Sequence, residues 1–161
     1  MVLLALLLIP LTTGVLSSIV PGRKAMERVN LAGGGLTFVF ALALAAEVLR
    51  GGPVALWNGF LYADCLSALV ILLTASVVLL CAVYAVGYLR EDERSGALEP
   101  RGEEGEAESR LRRYYTLTPL FVFSMISIAL ANNLGVMWAA IEATTLASVF
   151  LVTFYGKVTS L

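Results

Sequence analysis

Glu142 is an acidic residue in the middle of a long apolar run. Residues 134–155 read LGVMWAAIEATTLASVFLVTFY. The run is long enough to cross a bilayer as a helix, and at ~1.5 Å rise per residue Glu142 falls roughly 12 Å in, close to the midplane. A carboxylate at that depth costs at least a few kcal/mol, and its usual justification is ion or proton handling with a partner elsewhere in the bundle. The plainer alternative is a neutral carboxyl hydrogen-bonded to a neighbouring helix. Thr144, Thr145 and Ser148 follow closely. Thr145, three residues on, shares the Glu142 face. Its hydroxyl can hold water beside the carboxyl, bond back to the i−4 carbonyl, or pack a close helix contact. Trp138, four residues before Glu142, is expected to pack. The site expected from sequence is therefore Glu142 with Thr145, facing a protein interface or hydrated cavity rather than lipid.

The rest of the composition narrows the chemistry. Apolar residues make up 59% of the chain and charged residues 14%, and histidine is absent. The usual metal ligand and the usual proton carrier near neutral pH are thus missing. Cys65 and Cys81 form no metal-ligand pattern and read as small packing residues. No phosphate loop, nucleophile elbow or cysteine cluster occurs. The expectation is a chain with no catalytic residues, metal or cofactor of its own. A net charge of −1 gives no sign of nucleic-acid binding.

Five apolar spans must position the carboxylate: residues 2–20, 31–49, 61–89, 114–131 and 134–155. Each has the length a spanning helix needs, and in lipid an open strand cannot satisfy its backbone. The predicted fold class is an all-α membrane protein of about five transmembrane helices. Three lie in residues 1–89 and two in 114–161. Between them, residues 90–113 form a charged cytoplasmic loop whose end, Arg112 and Arg113, joins Tyr114 and Tyr115 of the next span in a basic and aromatic anchor. The first span reads as a retained helix, because its basic residues Arg23, Lys24 and Arg28 follow the apolar run instead of preceding it. Those three, the six arginines of residues 90–113 and Lys157 alternate with a segment that holds only Arg50. The count puts the N-terminus outside and the C-terminus in the cytoplasm. Glu47 and Asp64, at span ends, reach interfacial water. Asn133 is placed to cap the fifth helix.

Two stretches resemble a known family. Residues 115–156, YTLTPLFVFSMISIALANNLGVMWAAIEATTLASVFLVTFYG, resemble the antiporter-like membrane subunits shared by respiratory complex I, Mrp-type cation/proton antiporters and membrane-bound hydrogenases. NNLGVMWAAIEATTLAS is most similar to component F of hydrogenase-4 and formate hydrogenlyase. Asp64-Cys65-Leu66-Ser67-Ala68-Leu69, with Tyr84-Ala85-Val86-Gly87-Tyr88, is similar to a helix of the same subunits. The first two spans match in hydropathy alone.

The resemblance implies that Glu142 is the family's fifth-helix glutamate, which pairs with a buried lysine on a later, broken helix. A nearby carboxylate raises a lysine's pKa and its withdrawal lowers it. The sequence ends at Leu161, whereas the family's subunits continue for many more helices and hold that lysine beyond this point. Lys157 lies past the inner helix end and is no substitute.

The expected function is a membrane subunit of a complex I-like or hydrogenase-type assembly, lending Glu142 to a proton or sodium path completed by partner chains. The partners are other membrane subunits and the bilayer, and the location is the cell membrane. The alternatives are a structural or assembly subunit, and a subunit of a cation/proton antiporter or inorganic-carbon uptake complex.

Overall fold

The computed structural model describes residues 1–94 and 104–152. It contains helices α1 (Val2–Ile19), α2 (Arg23–Gly51), α3 (Cys65–Arg94), α4 (Glu104–Leu130) and α5 (Leu134–Val152). All five are long and apolar enough to cross a membrane. With the backbone hydrogen bonds of each helix internal, such segments are the natural spanning elements of a bilayer. The chain is a multi-pass helical membrane protein.

Helix limits differ from the hydropathy spans in instructive ways. Helix α2 starts at Arg23, so the basic segment after α1 is its first turns and not a loop. Helix α4 starts at Glu104 and α3 runs to Arg94, so both extend into the charged linker. Hydropathy marks where a helix enters lipid, while hydrogen bonding continues past that boundary into water. The linker residues 95–103, the end of the fifth span at 153–155 and Lys157 lie outside the described residues.

The third span needs a correction at its start. Residues 61–63 are not helical but form strand β2 (Leu61–Ala63), paired antiparallel with β1 (Val54–Leu56). Leu56 pairs with Leu61 across a loop of residues 57–60, closed by the Phe60 N–H donating to the Trp57 carbonyl at 3.1 Å. Trp57, Asn58 and Gly59 all have positive φ (53°, 53° and 86°). Asn and Gly tolerate that region, whereas Trp pays a steric cost there. Leu61 and Ala63 turn inward and Tyr62 outward, the period-2 alternation of a strand. The hairpin thereby plugs one end of the bundle with its apolar side.

Helices α1 to α4 form the bundle and α5 is appended to α4. At the hairpin end the core is Leu3 and Leu6 of α1, Ala41, Leu44 and Val48 of α2, Ala68 and Ile71 of α3, and Val122, Ile126 and Leu130 of α4. At the other end, which carries the basic residues, Met26, Ala85, Leu111 and Tyr115 form a smaller cluster. Lipid offers little hydrophobic drive for helices to associate, so contact depends on small residues that let backbones approach. Gly33 of α2 is one such point: a Cβ there would sit 2.6 Å from Thr13 Cγ2 of α1. Gly14 is another, where a Cβ would lie 3.2 Å from Leu120 Cγ of α4. Helix α1 is thus wedged between α2 and α4.

Candidate functional site: the outer face of α5

Helix α5 begins where the sequence expects. The Asn133 side-chain oxygen accepts from the Gly135 N–H at 2.9 Å and from the Val136 N–H at 3.3 Å, and the Asn133 carbonyl accepts from the Met137 N–H. This is an Asx cap of the first turn. The neighbouring Asn132 does different work. Its side-chain amide donates to the Gly59 carbonyl at 2.7 Å, and its backbone N–H to Phe60. The α4–α5 turn is thereby pinned to the hairpin tip, which fixes the depth at which α5 starts.

The rotation of α5 is set by one narrow seam. Ala140 and Ala147 are its buried residues. Between them the Thr144 hydroxyl lies 2.9 Å from the Ser124 hydroxyl of α4 and 2.9 Å from the Ala140 carbonyl. Ser124, 2% exposed, in turn donates to the Phe121 carbonyl at 2.8 Å. Each hydroxyl has a single proton. With Ser124's committed to Phe121, Thr144 donates either to Ser124 across the interface or back along its own helix. The small-hydroxyl-small pattern at i, i+4, i+7 faces α4 on one side of the helix.

Glu142 stands two residues from both Ala140 and Thr144. Two residues are about 200° around a helix of 3.6 residues per turn. The carboxylate therefore points away from α4. It is exposed, and among the described residues it makes no hydrogen bond or ion pair. Thr145 shares that outer side and is exposed, with its hydroxyl bonded back to the Ile141 carbonyl at 3.1 Å. Ser148 bonds to the Thr145 carbonyl at 2.8 Å. Of the three roles open to the Thr145 hydroxyl, the structure displays the back-bond. Trp138, expected to pack, is 66% exposed and is left open by the described residues. Ile141, Leu146 and Val149 are exposed as well. The structure thus places Glu142 and Thr145 on one broad apolar face that no described residue covers.

Two other carboxylates explain themselves locally. Asp64 caps α3, its side chain accepting from the Ser67 N–H at 2.8 Å while its carbonyl accepts from Ala68. The Ser67 backbone bond, then the Ser67 hydroxyl, hold the Asp64 carboxyl below the usual range. This gives the Asp-Cys-Leu-Ser motif a mechanical reason: Asp and Ser stand at the cap and at the third helical position. Glu47 is exposed near the hairpin end.

Two residues outside the sequence expectations hold the bundle together. Glu27 is 4% exposed and pairs with Arg23 Nε at 2.9 Å. The i, i+4 spacing was visible, although Arg before Glu is the weaker order on a helix. Asn30 binds three helices together through one amide. Its only sequence signal was a polar residue at the edge of an apolar span. The hairpin also had a signal, Asn58-Gly59 between two short apolar segments.

Among the described residues no group of three or more His, Cys, Asp or Glu side chains gathers as a metal site. No family model matches the chain. Curated proteins do. The chain is 30% identical over 104 residues to a hydrogenase-4 component F homolog of Methylacidiphilum infernorum, covering 65% of this chain and 20% of that protein. It is 29% identical over 99 residues to NADH-quinone oxidoreductase subunit L of Neisseria meningitidis, covering 62% of this chain and 12% of that one. It is 27% identical over 129 residues to Na(+)/H(+) antiporter subunit A1 of Staphylococcus haemolyticus, covering 74% and 14%. Its similarity is to antiporter-like proteins of the complex I and Mrp type. The chain spans between 12% and 20% of the length of these relatives.

Proposed function

We propose that this chain is a membrane subunit of a complex I-like or membrane-bound hydrogenase-type assembly, and that Glu142 belongs to a proton or sodium path completed by antiporter-like helices of a partner chain. The observation that carries the reading is the position of Glu142. It lies about 12 Å along α5 from the hairpin end, opposite the seam that holds α5 to α4, on a face that no described residue covers. An ionisable group facing lipid at that depth is costly. A facing helix with a cation or a hydrated cavity removes the cost and supplies what an ion path needs. A neighbouring lysine is the natural counter-group, because its pKa rises as the carboxylate approaches and falls as it withdraws. Any redox chemistry lies in other subunits, and this chain is non-catalytic by itself. The location is the cell membrane, with the basic bundle end in the cytoplasm and the hairpin end outside, as the Lys/Arg distribution argues.

A second reading, a structural subunit without transport, also has an observation behind it. The hydroxyls beside Glu142 are engaged in back-bonds and in the α4 seam, so they mark no polar route away from the carboxyl. A third reading is a subunit of a cation/proton antiporter or inorganic-carbon uptake complex. Hydrogenase or quinone-oxidoreductase genes beside this one would favour the first reading, and antiporter genes alone would reject it.

The partner surface can be tested directly. A photo-cross-linking residue placed at Trp138 in the intact membrane is expected to capture a peptide from other transmembrane helices. Sequencing of that peptide should find a lysine within a transmembrane segment. Adducts to lipid alone would show that the face is bare and would count against an ion path at Glu142.

A further inference from the structure

Pro119 lies inside α4. It has no N–H, so the Tyr115 carbonyl, four residues earlier, is deprived of its helical donor. A backbone carbonyl left without a donor inside a membrane bundle is strongly unfavourable, because lipid offers no hydrogen bond in exchange. The Asn30 side chain of α2 fills the gap: its amide nitrogen donates to the Tyr115 carbonyl at 3.0 Å. The same nitrogen donates to Ser17 Oγ of α1 at 2.8 Å. Ser17 is fully buried. An amide has two protons and these two acceptors take both, leaving the Met26 carbonyl at 3.4 Å as a marginal third. A carbonyl can only accept, so the NH2 group and not the amide oxygen must face Tyr115.

We infer that Asn30 is an interhelical latch that supplies the donor missing at Pro119, and that it positions the α4 segment carrying α5. Three helices meet at this one side chain, α1 at Ser17, α2 at Asn30 and α4 at Tyr115. Pro119 stands one turn beyond Tyr115, and Ser124 a little over one turn beyond Pro119. Ser124 is the hydroxyl on which Thr144 rests. The height and rotation of α4 past its break are therefore handed to the seam that aims Glu142. Leucine at position 30 fills similar space and provides no proton. Alanine at position 119 restores the missing N–H within α4 itself.

These two facts make a double substitution decisive. The intact membrane complex is purified with Asn30→Leu, with Pro119→Ala, with both, and with neither. Thermal melting is followed, together with ion uptake per assembled complex. Asn30→Leu is expected to lower the melting temperature by about 5 °C, or to abolish recovery of the complex, and to reduce uptake per complex. Adding Pro119→Ala to Asn30→Leu should return both readouts most of the way. If the double variant is no better than Asn30→Leu, or if Asn30→Leu melts like the parent, the latch is overturned. Recovered melting without recovered uptake would overturn the positioning role. The uptake readout rests on the transport function proposed above. The melting readout does not, so a parent complex that moves no ions would defeat that function and leave the latch still tested.

Discussion

The hydroxyls of Thr144 on α5 and Ser124 on α4 approach to 2.9 Å, and this contact aims Glu142 outward. The seam is built on small residues: Ala140, Thr144 and Ala147 form its centre with Met137 and Leu151 half-buried beside them, while Trp138, Ile141, Leu146 and Val149 are exposed. Interhelical hydrogen bonds of this kind contribute on average about 0.6 kcal/mol in membrane proteins. Thr144→Val and Ser124→Ala are each expected to destabilise the complex, and together by less than the sum, with a coupling of about that size. Thr145→Val, which removes only a back-bond on the exposed side, should show no coupling with Ser124→Ala. Equilibrium unfolding of the four combinations measures it. Additive effects for the 144/124 pair would mean that the two hydroxyls do not share a proton.

Two glycines of α2 separate packing from chain flexibility. A methyl group at Gly33 collides with Thr13. At Gly35 nothing lies within 4 Å of the added carbon. Gly33→Ala should cost ~1–3 kcal/mol through overpacking, whereas Gly35→Ala should be neutral or stabilising by up to ~1 kcal/mol, because alanine favours the helix. Melting temperatures of the purified variants decide it. A harmless Gly33→Ala would show that α1 and α2 are not closely packed in the assembly.

The Asp64 cap gives a pH signature. Its folded carboxyl is held below the ordinary Asp value by the Ser67 bonds, so the ionised cap stabilises α3 at neutral pH. The contribution is fully present above the unfolded pKa of about 3.9 and fades as the pH falls through the lower folded value. Asp64→Asn keeps a side-chain acceptor and should remove this acid-side slope, while Asp64→Ala should lower stability at neutral pH. Unfolding followed between neutral pH and pH 3 is the test. Identical slopes for the parent and the asparagine variant would contradict the assignment.

Much of this arrangement could be read before any coordinates. Glu142 stood out because a carboxylate in an apolar run is rare for a solvation reason that needs no structure. Asn133 was recognisable as a cap from its place before an apolar run, and the structure shows the cap. Thr145 was left open among three roles, since back-bonding and water-holding require the same spacing. Asn30 was missed because its importance comes from Pro119 on another helix, 89 residues away in the chain, and hydropathy does not record which carbonyl lacks a donor. The hairpin was missed because β2 joins the apolar span of α3 without a change in hydropathy. Which side of α5 needs cover was not legible either, because alanine and isoleucine both count as apolar within a span, whereas the side of contact depends on how closely a neighbour can approach.

The central claim is that the charge on Glu142 is used for ion movement. Glu142→Gln keeps the shape and most of the hydrogen-bonding capacity and removes the charge. The decisive measurement is proton or sodium uptake into sealed vesicles holding the intact complex, normalised to the amount assembled. The account predicts normal assembly with uptake reduced about tenfold or more, the change expected when a neighbouring lysine loses one unit or more of pKa control. Uptake equal to the parent at equal assembly would contradict it, and would leave Glu142 as a carboxyl that serves only the contact between helices.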